Sequence, residues 1–409
     1  MNDKFKLVSV FLGNISLALS AFIIAAILIA DLSVKEYGEF VLYQSCIVSW
    51  VIISKPPVWQ AIVKFSYEIK LNEVLKISYF LELVCYFFTA LILFFILYFC
   101  FYSVVVENIL LIVFSIFFGY FINSGVVLGF FRSQSKFYIL SLIQFISSCI
   151  KLVFATFYHE DVKVLFISFV FIDGALWVLA FTYVYMEYKR NKDESSLINA
   201  ISKKRITNFA FWSWGNSISD LPVTQFDRVI IAYLMGLELV GVYNIMKRVS
   251  QLLGQIADPI SQISFPKFSE MLHEGKVGSI YKIIIKISLL MFLVTIVSLS
   301  FTYLLYEMVN EHVFSSKLTL YKNELLMFMS IQGLSLVFVW IHPLFLSVGK
   351  MKEGFFIVTF SSLFYVMLLF LLRDMGLAGV LIATILQFFV LISLKVYYVF
   401  FNRYTGKVF

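Results

Sequence analysis

The chain has 409 residues, of which 61% are hydrophobic and 14% charged, with a mean hydropathy of +0.93; an ordinary globular chain carries roughly 25% charged residues. That balance excludes a water-soluble protein, and the +7 net charge therefore bears on membrane topology and not on nucleic acid, which is not expected as a partner. Four cysteines, Cys46, Cys85, Cys100 and Cys149, all lie inside apolar runs, so they offer neither a disulfide framework nor clustered metal-ligand spacing, and no metal or cofactor is expected.

Twelve apolar runs follow one another, each near the length of about 20 residues that crosses a hydrocarbon core of about 30 Å as a helix. The first six span 7 to 30, 37 to 53, 77 to 100, 108 to 131, 137 to 158 and 164 to 186. The longest polar stretch, EYKRNKDESSLINAISKKRITN at 187 to 208, then breaks the rhythm. Six more runs span 209 to 235, 241 to 265, 280 to 303, 324 to 347, 354 to 372 and 376 to 400. The expected fold is an all-α integral membrane protein of about 12 transmembrane helices, in two pseudo-symmetric six-helix lobes around a central cleft. Residues 1–190 form the first lobe, 191–208 a basic cytoplasmic linker and 209–409 the second lobe. The first run is long, lacks a small-residue cleavage site and is followed at once by another run, so it reads as a retained helix and not a signal peptide.

Basic residues set the orientation, because short cytoplasmic loops hold the excess Lys and Arg. With the N-terminus inside, 22 bases fall in inside segments, among them Lys55, Lys64, Arg132, Lys203 and Lys352. Five fall outside: Lys35, Lys163, Lys317, Lys322 and Arg373. Both termini are expected to be cytoplasmic, and the even helix count agrees.

The halves echo each other. Gly13-Asn14 and KEYGEF, with Glu36, Gly38 and Phe40, correspond to Gly215-Asn216 and LELVGVY, with Glu238, Gly241 and Tyr243. FRSQSKF after the fourth run corresponds to FLSVGKM after the tenth, and the paired positions lie 202 and 214 residues apart. Six helices per repeat with both termini on one side implies parallel repeats related by an axis along the membrane normal, an arrangement that leaves a central cleft for alternating access.

Polar residues inside the seventh and eighth runs are spaced for one helix face. Ser213, Asn216, Ser217, Asp220, Thr224 and Asp227 recur at steps of three and four. Asn244, Arg248, Gln251, Gln255, Asp258 and Gln262 fall within about 40° of one line at 100° per residue. Such groups facing lipid cost several kcal/mol each, so these stripes are expected to face a hydrated cavity. Charges inside the runs admit two readings, a structural pair or a functional site. About the turn between Leu237 and Glu238, Asp227 and Arg248 lie at equal depth and can neutralise each other; Lys151 and Asp173 are matched about the turn near Val162. Arg228 and Lys247 are also matched, but both are cations, which leaves the hairpin electropositive. Pro222, Pro259 and Pro343 each remove a helical hydrogen bond and are expected to kink the seventh, eighth and tenth helices.

There is no GxxxxGK[ST] loop, nucleophile elbow or His-Glu zinc motif, so no ATP hydrolysis and no catalytic residues are expected. FDRVIIAYLMGLELVGVYNIMKRV followed by DPISQISFPKFSE, with Asp227, Gly241, Tyr243 and Pro266, resembles the second-half signature of the polysaccharide transporters. These are the O-antigen flippase branch of the multidrug/oligosaccharidyl-lipid/polysaccharide flippase superfamily. EYGEF, PPVWQAIVKF and GFFRSQSKFY are similar to the family's first-half landmarks.

That resemblance implies a flippase moving an undecaprenyl-diphosphate-linked oligosaccharide, a repeat unit of O-antigen lipopolysaccharide or capsule, from the cytoplasmic to the outer leaflet of a bacterial inner membrane. Its partners would be the lipid-linked substrate, membrane lipid and polysaccharide assembly proteins. It implies a cationic cavity of Arg228, Arg248, Lys247 and Lys151, with Arg132 near the cytoplasmic mouth; Gln251 and Gln255, on the polar stripe of the eighth helix, are expected to contact the cargo. It also implies an ion gradient as driving force, with Asp173, Asp220, Asp227 and Asp258 as candidate carriers. Combined with the depth matching, Arg248 and Arg228 are expected to meet the diphosphate or an acidic sugar while Asp227 holds Arg248 in position. A drug/cation antiporter of the same superfamily and a membrane-embedded O-antigen polymerase or ligase are the competing readings. The first helix lacks an acid before Asp31, and no large outer loop is present, which weighs against each in turn.

Overall fold

A computed structural model describes residues 19–30, 32–66, 68–100, 116–134, 136–157, 162–190, 200–254, 257–312, 318–349 and 351–401. Gly13, Asn14, both chain termini, Asp31, linker residues 191–199 and Gln255 lie outside them, as do the side chains of Asp258, Pro259, Gln262 and Pro266. Every described stretch of the twelve apolar runs is helical apart from short breaks, and no strand occurs among the described residues. In chain order the helices are α1 (Leu19–Ala30), α2 (Val34–Ser54), α3 (Val58–Phe65), α4 (Leu71–Cys100), α5 (116–121), α6 (Gly125–Ser133), α7 (Phe137–Phe157), α8 (Val162–Arg190) and α9 (Ala200–Ser219). There follow α10 (Leu221–Thr224), α11 (Phe226–Met235), α12 (Leu237–Gly254), α13 (Ala257–His273), α14 (Val277–His312), α15 (Lys322–Val337), α16 (Ile341–Val348), α17 (Met351–Leu371) and α18 (Gly376–Phe401). Nine helical spans among the described residues are long and apolar enough to cross a membrane. They are α2, α4, α5 with α6, α7, α8, α14, α15 with α16, α17 and the span from Arg373 through α18.

The breaks follow the local chemistry. The seventh run divides into α9, α10 and α11, with Pro222 in the first turn of α10, where a missing N–H breaks no intrahelical bond. The tenth run divides into α15 and α16 just ahead of Pro343. The fourth run divides at 122–124, where Asn123 adopts φ +54°. The short helix α3 follows Pro56-Pro57 and was not among the predicted spans; Val58, Ala61 and Ile62 are fully buried in it. It rests on α6 at Gly125 and Gly129, where added methyl groups would fall 2.7 Å from Val58 Cγ2 and 2.6 Å from Ile62 Cδ1. This is small-residue spacing used for close helix approach. Outward-facing side chains are apolar: Leu289, Phe292, Leu293 and Val297 on α14 are all exposed, as on a helix against hydrocarbon.

Helix α2 packs extensively along α12. The contact is reciprocal. A Cβ on Gly38 would lie 2.3 Å from the Leu237 carbonyl oxygen, and one on Gly241 would lie 2.4 Å from the Val34 carbonyl oxygen. The two motifs that echo one another in sequence therefore meet in space, each glycine admitting the first turn of the other's helix. Beside them Asn244 Nδ2 donates to Tyr37 Oη at 2.8 Å, with both residues buried. A second contact joins the chain before residue 190 to the chain after it. Phe209 of α9 meets Phe65 of α3 edge to face at 5.7 Å, and Trp214 Nε1 donates to the Ile52 carbonyl at 3.0 Å.

Gly38→Ala or Gly241→Ala forces helix carbonyls apart and is expected to destabilise the detergent-solubilised protein by about 1–3 kcal/mol, the range for an overpacked core. Gly278→Ala is the control: nothing lies within 4 Å of the added methyl. Thermal unfolding of the three variants checks this, and equal melting temperatures would show that the α2–α12 crossing tolerates separation.

Candidate functional site

A cavity of 610 Å³ opens among α1, α2, α7, α8 and the broken fourth span, with Trp59 of α3 at its edge and Ser217 and Arg248 reaching it from the second half of the chain. Among the described residues three cations and one acid line it: Lys55, Lys151, Arg248 and Asp173. Lys151 of α7 and Asp173 of α8 stand at matched depth on antiparallel neighbours and form an ion pair at 2.5 Å; Ser147 Oγ donates to the other carboxylate oxygen at 2.6 Å. Lys55, counted from sequence as a loop base, is buried, and its ammonium donates to the carbonyls of Gly119, Tyr120 and Ile122 at 3.1, 3.0 and 2.5 Å. Arg248 donates to Gln44 Oε1 at 3.3 Å, and no carboxylate among the described residues lies within ion-pair distance of it. Arg248 is thus a lining cation without an ion-pair partner among the described residues, as is Lys55, whose ammonium is taken up by backbone carbonyls.

The α11–α12 hairpin corrects the expected pairing. Asp227 is fully buried and its partner is Lys247, at 2.5 Å, not Arg248. Tyr243 Oη donates to the same carboxylate at 2.6 Å and the Arg228 backbone N–H at 2.9 Å. Depth alone could not separate Lys247 from Arg248, since adjacent residues differ by about 1.5 Å in rise but 100° in direction. Lys247 lies four residues from Tyr243, on the face toward α11; Arg248 lies four from Asn244, on the face toward α2 and the cavity. Arg228 and Lys247 are therefore not a free cationic remainder. Arg228 is buried between α11 and α2, where Nη1 donates to Ser45 Oγ and Gln225 Oε1 at 2.8 Å each, while Nε has no partner. Neither Arg228 nor Lys247 lines the cavity.

The remaining sequence candidates disperse. Arg132 stands outside the cavity with its guanidinium 4.2 Å from the ring centre of Trp59, which does line it. Gln251 is half-buried on α12 and does not line it. Asp220 sits at the α9–α10 break, half-buried, with no cation among the described residues within ion-pair distance. Sequence reasoning passed over Glu82, Asn123, Trp59 and Gln44. Glu82, fully buried in α4, accepts from the backbone N–H groups of Gly125 and Val126 at 2.9 and 3.0 Å. Two signals were present: an acid inside an apolar run, and the turn-forming series Asn123-Ser124-Gly125 in the middle of another.

The profile of the family described as polysaccharide biosynthesis protein matches residues 6–272. The chain belongs to the polysaccharide biosynthesis protein family. A crystal structure of MATE in complex with MaL6 is similar over 99% of this chain and 96% of that one, at 12% identity and a TM-score of 0.71. The outward-facing conformation of a multidrug resistance MATE family transporter of the MOP superfamily matches over 99% and 96%, at 13% identity and 0.69. The inward-facing conformation of such a transporter matches over 98% and 96%, at 12% identity and 0.57. No curated protein sequence matches the chain. This member of the polysaccharide biosynthesis family thus has the fold of MATE transporters.

Removing one partner of a buried ion pair leaves an uncompensated charge and costs about 3–5 kcal/mol, whereas replacing both is far milder. Lys247→Met is accordingly expected to unfold far more easily than the double variant Asp227→Asn, Lys247→Met, and Arg248→Met should behave independently of Asp227→Asn. A double-mutant cycle on thermal stability measures both couplings.

Proposed function

We propose that the protein is a flippase that carries an undecaprenyl-diphosphate-linked oligosaccharide, an O-antigen or capsule repeat unit, across a bacterial inner membrane by alternating access. The observation that carries this reading is Arg248, a guanidinium without a carboxylate partner lining a 610 Å³ cavity. Its planar fork matches the oxygens of a diphosphate or an acidic sugar, and away from bulk water that contact is stronger than at a surface. Gln44 orients the guanidinium without neutralising it. Contacts between the first and second halves, among them α2 on α12 and α3 on α9, supply the closures that alternate. For ion coupling, Asp173 and Asp227 are already held in ion pairs, which leaves Asp220, among the candidates whose side chains are described, as the carboxylate free to take up a cation or a proton. Its place at a helix break suits that role, since discontinuous helices build transporter ion sites.

A drug or cation antiporter is the second reading, favoured by the likeness to multidrug MATE transporters. The cavity chemistry speaks against it: the acid among the described lining residues, Asp173, is neutralised by Lys151 and hydrogen-bonded by Ser147, so an organic cation finds no free counter-charge there.

In proteoliposomes loaded with a lipid-linked oligosaccharide in one leaflet, glycan access from the other side reports translocation. Arg248→Ala is expected to slow it at least about tenfold and Arg248→Lys less, because lysine keeps the charge and loses the fork. Asp220→Asn is expected to abolish its response to an imposed ion gradient. Undiminished translocation with Arg248→Ala rejects the cargo role, and uptake of an organic cation in its place establishes the antiporter.

A further inference from the structure

Arg228 is a buried charge to which the proposed function gives no task. It stands in the first turn of α11, 8% exposed, in the seam where that helix packs on α2. A cation taken out of water needs a counter-charge or a full set of acceptors, since its desolvation is otherwise uncompensated. Arg228 has neither among the described residues. Its side-chain hydrogen bonds both leave from Nη1, to Ser45 Oγ and Gln225 Oε1, and both acceptors are neutral. Ser45 spends its own hydroxyl hydrogen on the Val41 carbonyl at 2.9 Å, so it offers Arg228 a lone pair and nothing more. No carboxylate among the described residues lies within ion-pair distance of the guanidinium.

The neighbouring charges deepen the imbalance. Asp227, the adjacent acid, is already taken by the Lys247 ammonium, the Tyr243 hydroxyl and the Arg228 backbone N–H. Lys247 and Arg248 both stand within electrostatic reach of Arg228, and both have its sign. Lys247 neutralises Asp227 and Arg248 faces the cavity, which leaves the charge of Arg228 over.

The guanidinium also has a free edge of the right shape. It carries five N–H donors in a rigid planar fork. Nη1 has two of those hydrogens, and Ser45 and Gln225 take them. On the opposite edge the Nε–H and one Nη2–H point the same way, an arrangement that grips an anion with two parallel hydrogen bonds. Nε is buried and has no partner among the described residues. Arg228 does not line the 610 Å³ cavity, so the cargo does not supply its counter-charge. The anion that fits is small and diffuses in from solution, and chloride meets both requirements.

We propose that Arg228 binds a chloride ion on its Nε–Nη2 edge and that this ion is the counter-charge of the α2–α11 seam. Ser45 belongs to α2, while Gln225 and Arg228 belong to the start of α11, so the guanidinium is held in this pose only while the two helices are packed together. An anion that binds the packed arrangement and not the parted one shifts the equilibrium toward packing by mass action. Chloride thereby stabilises the same closure between the halves that Gly38 and Gly241 permit. The site lies outside the cavity, and the inference holds whatever the cargo is.

The test follows thermal unfolding of the full chain in lipid nanodiscs while chloride or bromide replaces gluconate at constant ionic strength, which holds screening fixed. The wild-type melting temperature is expected to rise saturably, by at least about 2 °C. Arg228→Met should abolish the rise, and in gluconate it should melt no lower than wild type, because methionine removes an uncompensated buried cation. Arg228→Lys keeps the charge and loses the fork, so its chloride midpoint moves to higher concentration. Arg248→Met, which removes the cavity cation, should retain the wild-type response. A wild-type melting temperature indifferent to halide, a response that survives in Arg228→Met, or one lost in Arg248→Met overturns the site. Where Arg228→Met gives no folded protein, Arg228→Lys decides, and an unchanged chloride midpoint overturns the site.

Discussion

The approach of α2 to α12 at Gly38 and Gly241 is the contact on which the rest of the arrangement depends. Two helix backbones come within carbonyl-to-Cα distance, and they do so twice in mirrored roles, each glycine receiving the opening turn of the other helix. In a membrane, where burial of apolar surface gives helices no preference for each other over lipid, such close packing and the polar bonds beside it are the main cohesive terms. The polar bonds beside it are registered by this crossing: Tyr37 with Asn244, Ser45 with Arg228, Gln44 with Arg248. Helical phase then sorts the two adjacent cations of α12, turning Lys247 onto Asp227 and Arg248 toward the cavity.

Charge in this molecule is mostly bound in fixed assignments. Asp227 is saturated by Lys247, Tyr243 and a backbone N–H; Asp173 by Lys151 and Ser147; Lys55 and Glu82 by the two ends of a broken helix. A buried charge left unpaired in a low-dielectric interior is costly, and the proposed function assigns a ligand to two of the exceptions. Arg248 and Asp220 are such exceptions, one facing the cavity and one at a helix break.

The membrane class, the helical fold and the places of the apolar spans were legible in the sequence because hydropathy over a helix length is a local property. The family was legible in the hairpin around Asp227 and Gly241. The matched depth of Lys151 and Asp173 was legible too, since an antiparallel hairpin fixes depth by counting from its turn. Counting fails one step later: residues 247 and 248 share a depth, and which of them faces Asp227 depends on the rotation of α12 about its own axis. That rotation is set by the packing of α2, more than two hundred positions away in sequence.

Composition and spacing by themselves determined that this chain lies in a membrane as apolar helices carrying polar stripes, because the solvent acts on each segment independently. Only the tertiary structure decided which charges are neutralised, that Lys55 and Glu82 brace a broken helix, and that Trp59, Asn123 and Arg248 share one cavity. Pairing and enclosure arise between segments remote in sequence, where helix rotation and close glycine contacts choose among partners that depth alone leaves equal.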